Sequence, residues 1–262
     1  IFLFSLLKPT LMNIKRHIPN LLTLGNLLCG TIATIAAVNA DYLTAAFLVV
    51  LGIVFDFFDG FVARVLKVSG ELGKQLDSLA DMVTSGVVPG VIMYKLMMQN
   101  TDFHLNGFFK FTDLNLKPSS LLNIGLFGLI LTLAACYRLG KFNIDTRQSD
   151  SFIGLPTPAM SLFVIALPLI PVYSDSQFFI DLVQNNYFLL GVTVLLSYLM
   201  NAEIPLFSLK FKTFGVKENL LKYVFLLFSG ILLVALEVIA IPTIIILYVA
   251  MSVGSNLRVK NA

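Results

Sequence analysis

Residues 56–81 read DFFDGFVARVLKVSGELGKQLDSLAD, and this stretch decides how the rest of the chain is interpreted. Four aspartates and an arginine lie here within a sequence that is otherwise strongly apolar. Hydrocarbon makes an unpaired charge costly, so a group of ionisable side chains at the end of a membrane span indicates a functional site. The stretch therefore predicts a polar site carried by membrane-spanning helices.

The spacing of these residues predicts two helices that can aim their carboxylates into one pocket. The first helix carries charged and small residues in one stripe, at offsets of 0, 3, 4, 7 and 8: Asp56, Asp59, Gly60, Ala63 and Arg64. Gly73, Asp77 and Asp81 follow at intervals of four along the second helix. Ser69 and Gly70 are typical of the break that lets the chain turn back between the two helices.

This set of side chains indicates chemistry on a phosphate group. Four carboxylates in one pocket would repel one another and take up protons unless cations neutralised them. Oxygen ligands of this kind suit two divalent cations, Mg²⁺ or Mn²⁺. Gly60, Ala63 and Gly73 leave space for a bulky ligand near the backbone, and the Arg64 guanidinium can pair with phosphate. The residues predict a site that transfers a phosphoryl-type group.

The same segment matches the pattern D-x2-D-G-x2-A-R-x8-G-x3-D-x3-D at every fixed position. The chain thereby resembles the CDP-alcohol phosphatidyltransferase family. Members of that family transfer a phosphatidyl group from a CDP-linked lipid to the hydroxyl group of an acceptor alcohol, release CMP and use two divalent metals. The resemblance also implies a possible homodimer, because homodimers are usual in that family. The residues themselves do not fix the oligomeric state.

The resemblance implies a role for each residue of the pattern. It implies four metal ligands, Asp56, Asp59, Asp77 and Asp81. Asp81 is implied to be the general base as well, and would take the proton of the acceptor hydroxyl group. The implied contacts with the CDP-lipid are Asn20, Thr23, Gly60, Ala63, Arg64 and Gly73, of which Asn20 and Thr23 lie in PNLLT near the start of the first span.

The acceptor alcohol is predicted from other parts of the chain. Residues 18–30, 76–90, 137–143 and 152–159 resemble the branch of the family that uses L-serine, which predicts CDP-diacylglycerol and L-serine as substrates. The serine carboxylate needs a cation, and Arg138, Lys141 and Asn143 stand together at the end of the fourth span as candidate acceptor-binding residues. An equally simple interpretation makes Arg138 and Lys141 ordinary charges that set the topology.

Composition fixes the class of protein. Of the 262 residues, 57% are hydrophobic and 13% are charged, whereas a soluble domain has about 45–50% and about 25%. We expect an all-α integral membrane protein that forms one domain over residues 1–262, surrounded by membrane lipid and without a nucleic-acid partner. Residues 1–18 would form an N-terminal cytoplasmic segment, 19–205 the catalytic core, and 206–262 a C-terminal helical hairpin and tail. Met12 is the expected natural start.

The hydrophobic pattern predicts about eight transmembrane helices, and six to eight agree with it. They cover residues 19–39, 42–67, 72–98, 119–140, 157–174, 187–203, 220–236 and 238–254. With both termini in the cytoplasm, all 18 Lys and Arg residues except Lys95, Lys110 and Lys117 fall on the cytoplasmic side. The positive-inside rule thus places the aspartates at the cytoplasmic face of the cytoplasmic (inner) membrane.

Three alternative functions remain, and a purely structural membrane scaffold is the weakest of them. A phosphatidylglycerophosphate-forming member of the same family would use glycerol 3-phosphate as the acceptor, and the shared pattern does not distinguish acceptors. A cation or proton transporter would also place aspartates inside a membrane. The chain lacks an evident internal repeat, which disfavours the transporter.

Overall fold

The computed structural model describes residues 2–68, 70–99, 124–145, 152–207, 215 and 219–260. The α-helices in these ranges are α1 (Phe2–Val38), α2 (Tyr42–Leu66), α3 (Glu71–Asp81), α4 (Val88–Gln99), α5 (Ile130–Ile144), α6 (Thr157–Ala166), α7 (Ile170–Tyr173), α8 (Gln177–Gln184), α9 (Asn186–Asn201), α10 (Leu220–Leu236) and α11 (Ala240–Lys260). A π-helical segment, Met82–Val87, joins α3 to α4, and 3₁₀ turns cover Ile124–Leu129, Leu167–Leu169 and Glu237–Ile239. The architecture is all-α, as predicted.

Five helical stretches are long and apolar enough to cross a membrane. They are His17–Val38, Tyr42–Leu66, Glu71–Gln99, Ile124–Ile144 and Leu220–Asn256, and a sixth span results if α8 and α9, which are bent by 74°, count as one. Helices of this length and composition indicate an integral membrane protein. The count differs from eight partly because Thr157–Tyr173 is a shorter apolar helix. Its 17 residues extend about 25 Å, less than the roughly 30 Å of a hydrocarbon core.

The last apolar stretch reverses direction in its middle. The rings of Phe225 in α10 and Tyr248 in α11 lie 5.7 Å apart, whereas in one straight helix these residues would be about 35 Å apart. The reversal occurs at Glu237, whose φ is 47°. This contact supports the predicted C-terminal hairpin, and the eight-span count stays a prediction.

The helices that carry the site pack tightly because small residues lie where they cross. Ala33 and Ala37 of α1 are fully buried, as is Ala45 of α2. A Cβ atom on Gly30 of α1 would lie 2.9 Å from the Cα atom of Thr84 in the π-helical segment. That spacing leaves no room for a larger residue, so α1 and the π-helical segment are in direct backbone contact.

A short two-stranded antiparallel sheet links distant parts of the chain. Strand β1 (Phe152–Ile153) pairs with β2 (Pro205–Leu206), with Phe152 opposite Leu206. Gly154 follows β1 with a φ of 74°, and a Cβ atom there would lie 2.5 Å from the carbonyl oxygen of Met200. Glycine is required because this φ favours it and because the chain passes close to the end of α9.

Candidate active site

The turn between α2 and α3 sets the two acidic helices on either side of a cavity. Helix α2 ends where Lys67 adopts the left-handed conformation, with a φ of 53°. The N–H group of Val68 donates to the carbonyl oxygen of Ala63 at 3.0 Å. Gly70 then caps α3 in an extended conformation. The predicted break is confirmed at Gly70, and Ser69 lies outside the described residues.

Helix α1 lines one side of the cavity. The spacing of the motif residues along the sequence did not predict this contribution. Both α2 and α3 pack against α1, and α1 presents Pro19, Asn20 and Thr23 to the cavity between them. The hydroxyl group of Thr23 donates to Asp59 Oδ2 and lies 3.2 Å from the carbonyl oxygen of Pro19. The first helix therefore fixes one of the acidic side chains directly.

Three of the four predicted metal ligands converge. Asp56, Asp59 and Asp77 each place one carboxylate oxygen within 4.8 Å of the oxygens of the other two. Asp59 is buried, and Asp56 and Asp77 are half-buried. Asp77 Oδ1 is buried without a hydrogen-bond partner in the described part of the chain. Buried carboxylates require a compensating charge, and three oxygen donors suit a hard divalent cation. The three carboxylates of this cluster are therefore suited to bind a divalent metal ion.

Asp81 is not part of this three-carboxylate cluster. It lies one helical turn beyond Asp77 in α3, as the spacing predicted. Its Oδ1 atom accepts a hydrogen bond from Asn26 Nδ2 of α1 at 3.1 Å. The two roles predicted for Asp81, metal ligand and general base, stay predictions.

The cavity has a volume of about 660 Å³ and contains every predicted CDP-lipid contact. Those residues are Asn20, Thr23, Gly60, Ala63, Arg64 and Gly73, and they share the cavity with the three clustered aspartates. A Cβ atom added to Gly60 would meet nothing within 4 Å, whereas one on Gly73 would lie 3.5 Å from Asn20 Oδ1. Gly60 therefore faces open space within the cavity.

Two basic residues that line the cavity, His17 and Lys74, were not identified from the sequence. His17 lies within one helical turn of Asn20 on α1 and lines the same cavity. Lys74 follows Gly73 and donates from Nζ to the carbonyl oxygen of Asn143 at 2.6 Å. Both residues lie within one helical turn of a predicted CDP-lipid contact, and this proximity could have indicated them.

The three candidate serine-binding residues do not line this cavity. Arg138 is buried, and its Nη1 atom donates to the carbonyl oxygens of Ile153 at 2.9 Å and Met200 at 2.8 Å. Lys141 Nζ lies 3.2 Å from Glu203 Oε1. These contacts tie the end of α5 to β1 and to the end of α9.

Asn143 contacts the acidic helix α3. Its Nδ2 atom donates to Ser78 Oγ at 2.8 Å, and Ser78 is the neighbour of Asp77 in the sequence. The acceptor-binding roles of Arg138, Lys141 and Asn143 stay predictions.

The helical fold and the site together define a class: an integral membrane protein whose clustered carboxylates can bind a divalent cation. The family model described as CDP-alcohol phosphatidyltransferase matches residues 16–199. The chain belongs to the CDP-alcohol phosphatidyltransferase family, which confirms the resemblance. CDP-alcohol phosphatidyltransferases depend on divalent metals, in agreement with the aspartate cluster.

Several curated proteins are similar to the chain over much of their length. A CDP-diacylglycerol–serine O-phosphatidyltransferase of Helicobacter pylori strain J99 is 32% identical over 210 residues, which cover 79% of each chain. A protein of the same name from Bacillus subtilis strain 168 is 30% identical over 152 residues, 58% of this chain and 75% of the relative. An archaetidylserine synthase of Methanothermobacter thermautotrophicus is 29% identical over 161 residues, 60% of each chain.

Proposed function

We propose that this protein transfers the phosphatidyl group of CDP-diacylglycerol to the hydroxyl group of L-serine, giving phosphatidylserine and CMP. The observation that carries the proposal is the convergence of Asp56, Asp59 and Asp77 at a cavity that also contains Arg64. The printed names of the Helicobacter pylori and Bacillus subtilis relatives support serine as the acceptor. The reaction forms a bond between the serine oxygen and phosphorus, and breaks the bond between that phosphorus and the oxygen of departing CMP.

The aspartates would hold two divalent cations, Mg²⁺ or Mn²⁺. Their ligands would be Asp56, Asp59, Asp77 and Asp81. Bound cations would offset the carboxylate charges and polarise the diphosphate group of the substrate. Asp81 would accept the proton of the serine hydroxyl group as the new bond forms. The Thr23 hydroxyl group would keep Asp59 oriented, since it already donates to that carboxylate.

The CDP group would occupy the cavity between α2 and α3. Arg64 offers a planar, permanently charged guanidinium group for the diphosphate. Gly60 leaves open space beside the acidic cluster, and Asn20 supplies amide groups that suit the hydrogen-bonding groups of a nucleotide. The charges and the space in the cavity thus support a nucleotide diphosphate as ligand.

Serine would bind through Arg138, Lys141 and Asn143 at the end of α5. The proposal depends on charge complementarity between the carboxylate group of serine and the two cations. Kinetic constants of Arg138→Ala test it: the KM for serine should rise much more than the KM for CDP-diacylglycerol. Equal changes in both constants would reject the carboxylate role.

The site would lie at the cytoplasmic face of the cytoplasmic membrane, in a chain with eight spans and both termini in the cytoplasm. The distribution of Lys and Arg supports this orientation, and the reversal at Glu237 supports separate spans in α10 and α11. Single cysteines in place of Lys67 and Lys95 should react with a membrane-impermeant thiol reagent from opposite sides. Labelling of both from one side would exclude this topology. The protein would form a homodimer, which its mass in detergent would test.

The activity is tested with the purified full chain in detergent micelles. CDP-diacylglycerol and radiolabelled serine should give labelled phosphatidylserine and an equal amount of CMP. EDTA should stop the reaction, and Mg²⁺ or Mn²⁺ should restore it. CMP release with glycerol 3-phosphate but not with serine would show a phosphatidylglycerophosphate synthase. Cation flux into vesicles without any CMP release would support the transporter and reject the enzyme.

A further inference from the structure

A buried asparagine on α1 contacts Asp81, the predicted metal ligand that is not part of the three-carboxylate cluster. Asn26 is 0% exposed, and its Nδ2 atom donates to Asp81 Oδ1 at 3.1 Å. It lies three residues after Thr23, whose hydroxyl group donates to Asp59. Neighbouring turns of α1 therefore hold two different aspartates through neutral donors.

The structure holds Asn26 itself in place from two sides. The Thr84 hydroxyl group donates to the backbone carbonyl oxygen of Asn26 at 3.1 Å. On the other side, a Cβ atom on Gly52 would lie only 2.8 Å from Asn26 Oδ1. The backbone at Asn26 is therefore fixed by Thr84, and the close packing against Gly52 leaves no room for a longer side chain, while Oδ1 has no hydrogen-bond partner among the described residues.

The π-helical segment brings Thr84 to this contact. It begins directly after Asp81, and π-helical turns are frequent at functional sites. Gly30 allows Thr84 to reach α1, because a Cβ atom on Gly30 would lie 2.3 Å from Thr84 Oγ1. Gly30, Gly52 and Thr84 thus pack around Asn26, which contacts Asp81.

The chemistry of an amide suits a carboxylate that must remain reactive. The Nδ2 atom has to face Asp81, because the amide oxygen would repel a carboxylate oxygen. The amide orients the carboxylate without bringing a positive charge, whereas lysine or arginine would form an ion pair and compete with a metal. It engages Oδ1 and leaves Oδ2 for another partner.

We propose that Asn26 is a positioning residue that fixes the Asp81 carboxylate with Oδ2 directed to the reacting groups. The inference rests on the proposed function, in which Asp81 is the general base and a metal ligand. Asn26 acts only through Asp81, and the nucleotide cavity, which does not include Asn26, remains unchanged without it.

The test uses Asn26→Leu, which keeps the approximate volume and removes the donor. The kcat value should fall about 10- to 100-fold, as is typical when a partner of a metal ligand is lost. At saturating Mn²⁺, the KM for CDP-diacylglycerol should stay within about twofold, since Asn26 does not line the cavity assigned to the nucleotide. Mn²⁺ binding, followed by electron paramagnetic resonance without substrates, should weaken about 10-fold.

The matched control is Thr193→Val in α9. Thr193 is also 0% exposed, and its hydroxyl group donates to the carbonyl oxygen of Leu189 at 2.8 Å. This variant should disturb packing to a similar degree while kcat and Mn²⁺ binding keep the parental values. If Asn26→Leu fails to fold, Thr84→Val provides the second variant, and a smaller loss of Mn²⁺ affinity is expected.

A double variant separates positioning from a general structural role. In an Asp81→Asn background, Asn26→Leu should cause no further loss of Mn²⁺ affinity, because its effect passes through Asp81. Parental Mn²⁺ affinity in Asn26→Leu, or an equal loss in both backgrounds, would overturn the inference. Absence of CMP release from the parent protein would instead reject the proposed function, and the Mn²⁺ measurement would still decide the role of Asn26.

Discussion

Replacing Gly60 by alanine should separate substrate binding from stability. Gly60 lies in α2 next to Asp59, and an added Cβ atom would meet no other atom within 4 Å. The protein itself has room for the methyl group. Alanine in a helix interior is favoured over glycine by about 0.5–1 kcal/mol, so Gly60→Ala should unfold at an equal or higher temperature than the parent.

The same methyl group should impair the use of CDP-diacylglycerol. Gly60 lines the cavity of about 660 Å³ that we assign to the CDP group, so the methyl group would occupy ligand space. Overpacking of a close contact costs about 1–3 kcal/mol, which corresponds to a decrease in kcat/KM for CDP-diacylglycerol of roughly 5- to 150-fold. The KM for serine should remain near the parental value, because the altered contact is with the nucleotide.

Gly191→Ala provides the control for this measurement. Gly191 lies in α9, and a Cβ atom there would also meet nothing within 4 Å. Because Gly191 does not line the cavity, its variant should gain the same stability without a kinetic effect. Steady-state kinetics in mixed micelles and thermal unfolding in detergent measure both quantities. Parental kcat/KM in Gly60→Ala, or equal losses in both variants, would refute the assignment of the cavity.

Four further substitutions test the site and the fold. Asp77→Ala should lower kcat at least about tenfold, a barrier change of about 1.4 kcal/mol, and weaken Mn²⁺ binding while membrane insertion is kept; turnover closer to the parent would contradict the shared-metal site. Arg138→Ala should lower the free energy of unfolding by about 2–4 kcal/mol, because two carbonyl oxygens lose a charged donor. Lys141→Ala should change it by less than about 1 kcal/mol, since its ion pair is exposed; similar denaturation midpoints for these two variants would be inconsistent with that difference. Gly128→Ala should cost about 1–3 kcal/mol, because its Cβ atom would lie 2.6 Å from the backbone nitrogen of Tyr94, and an unchanged melting temperature would show that the helices can separate there.

The acidic cluster could be predicted because its geometry is local. Asp56 and Asp59 share a helix face through their spacing alone, and Gly70 indicates the break before the second helix. These features depend on the helical repeat and on the backbone preference of glycine, which any short segment reveals. The structure accordingly brings Asp77 to the first two aspartates.

The contribution of α1 to the site could not be predicted because it depends on long-range packing. The contacts from Thr23 to Asp59 and from Asn26 to Asp81 join residues that are 36 and 55 positions apart. Nothing in local spacing specifies which face of α1 meets which helix. The resemblance identified Thr23, but only the fold shows the aspartate that it contacts.

Arg138 has contacts within the fold that its position in the sequence does not reveal. From the sequence it is a cation at the end of a span, suited to a carboxylate ligand. In the structure its Nη1 atom bridges the carbonyl oxygens of Ile153 and Met200, which belong to segments far apart in the chain. A guanidinium group has five N–H donors, so the bridge between the two carbonyl oxygens is compatible with a further partner.

The end of α5 therefore connects the two halves of the proposed reaction site. On one side Arg138 fixes it to β1 and to the end of α9. On the other side Asn143 bonds to Ser78, and Lys74 donates back to the Asn143 carbonyl oxygen. Ser78 and Lys74 lie on α3 on either side of Asp77 in the sequence. Because these contacts join α5 to the helix that carries Asp77, a shift of the proposed serine-binding residues would displace a proposed metal ligand as well.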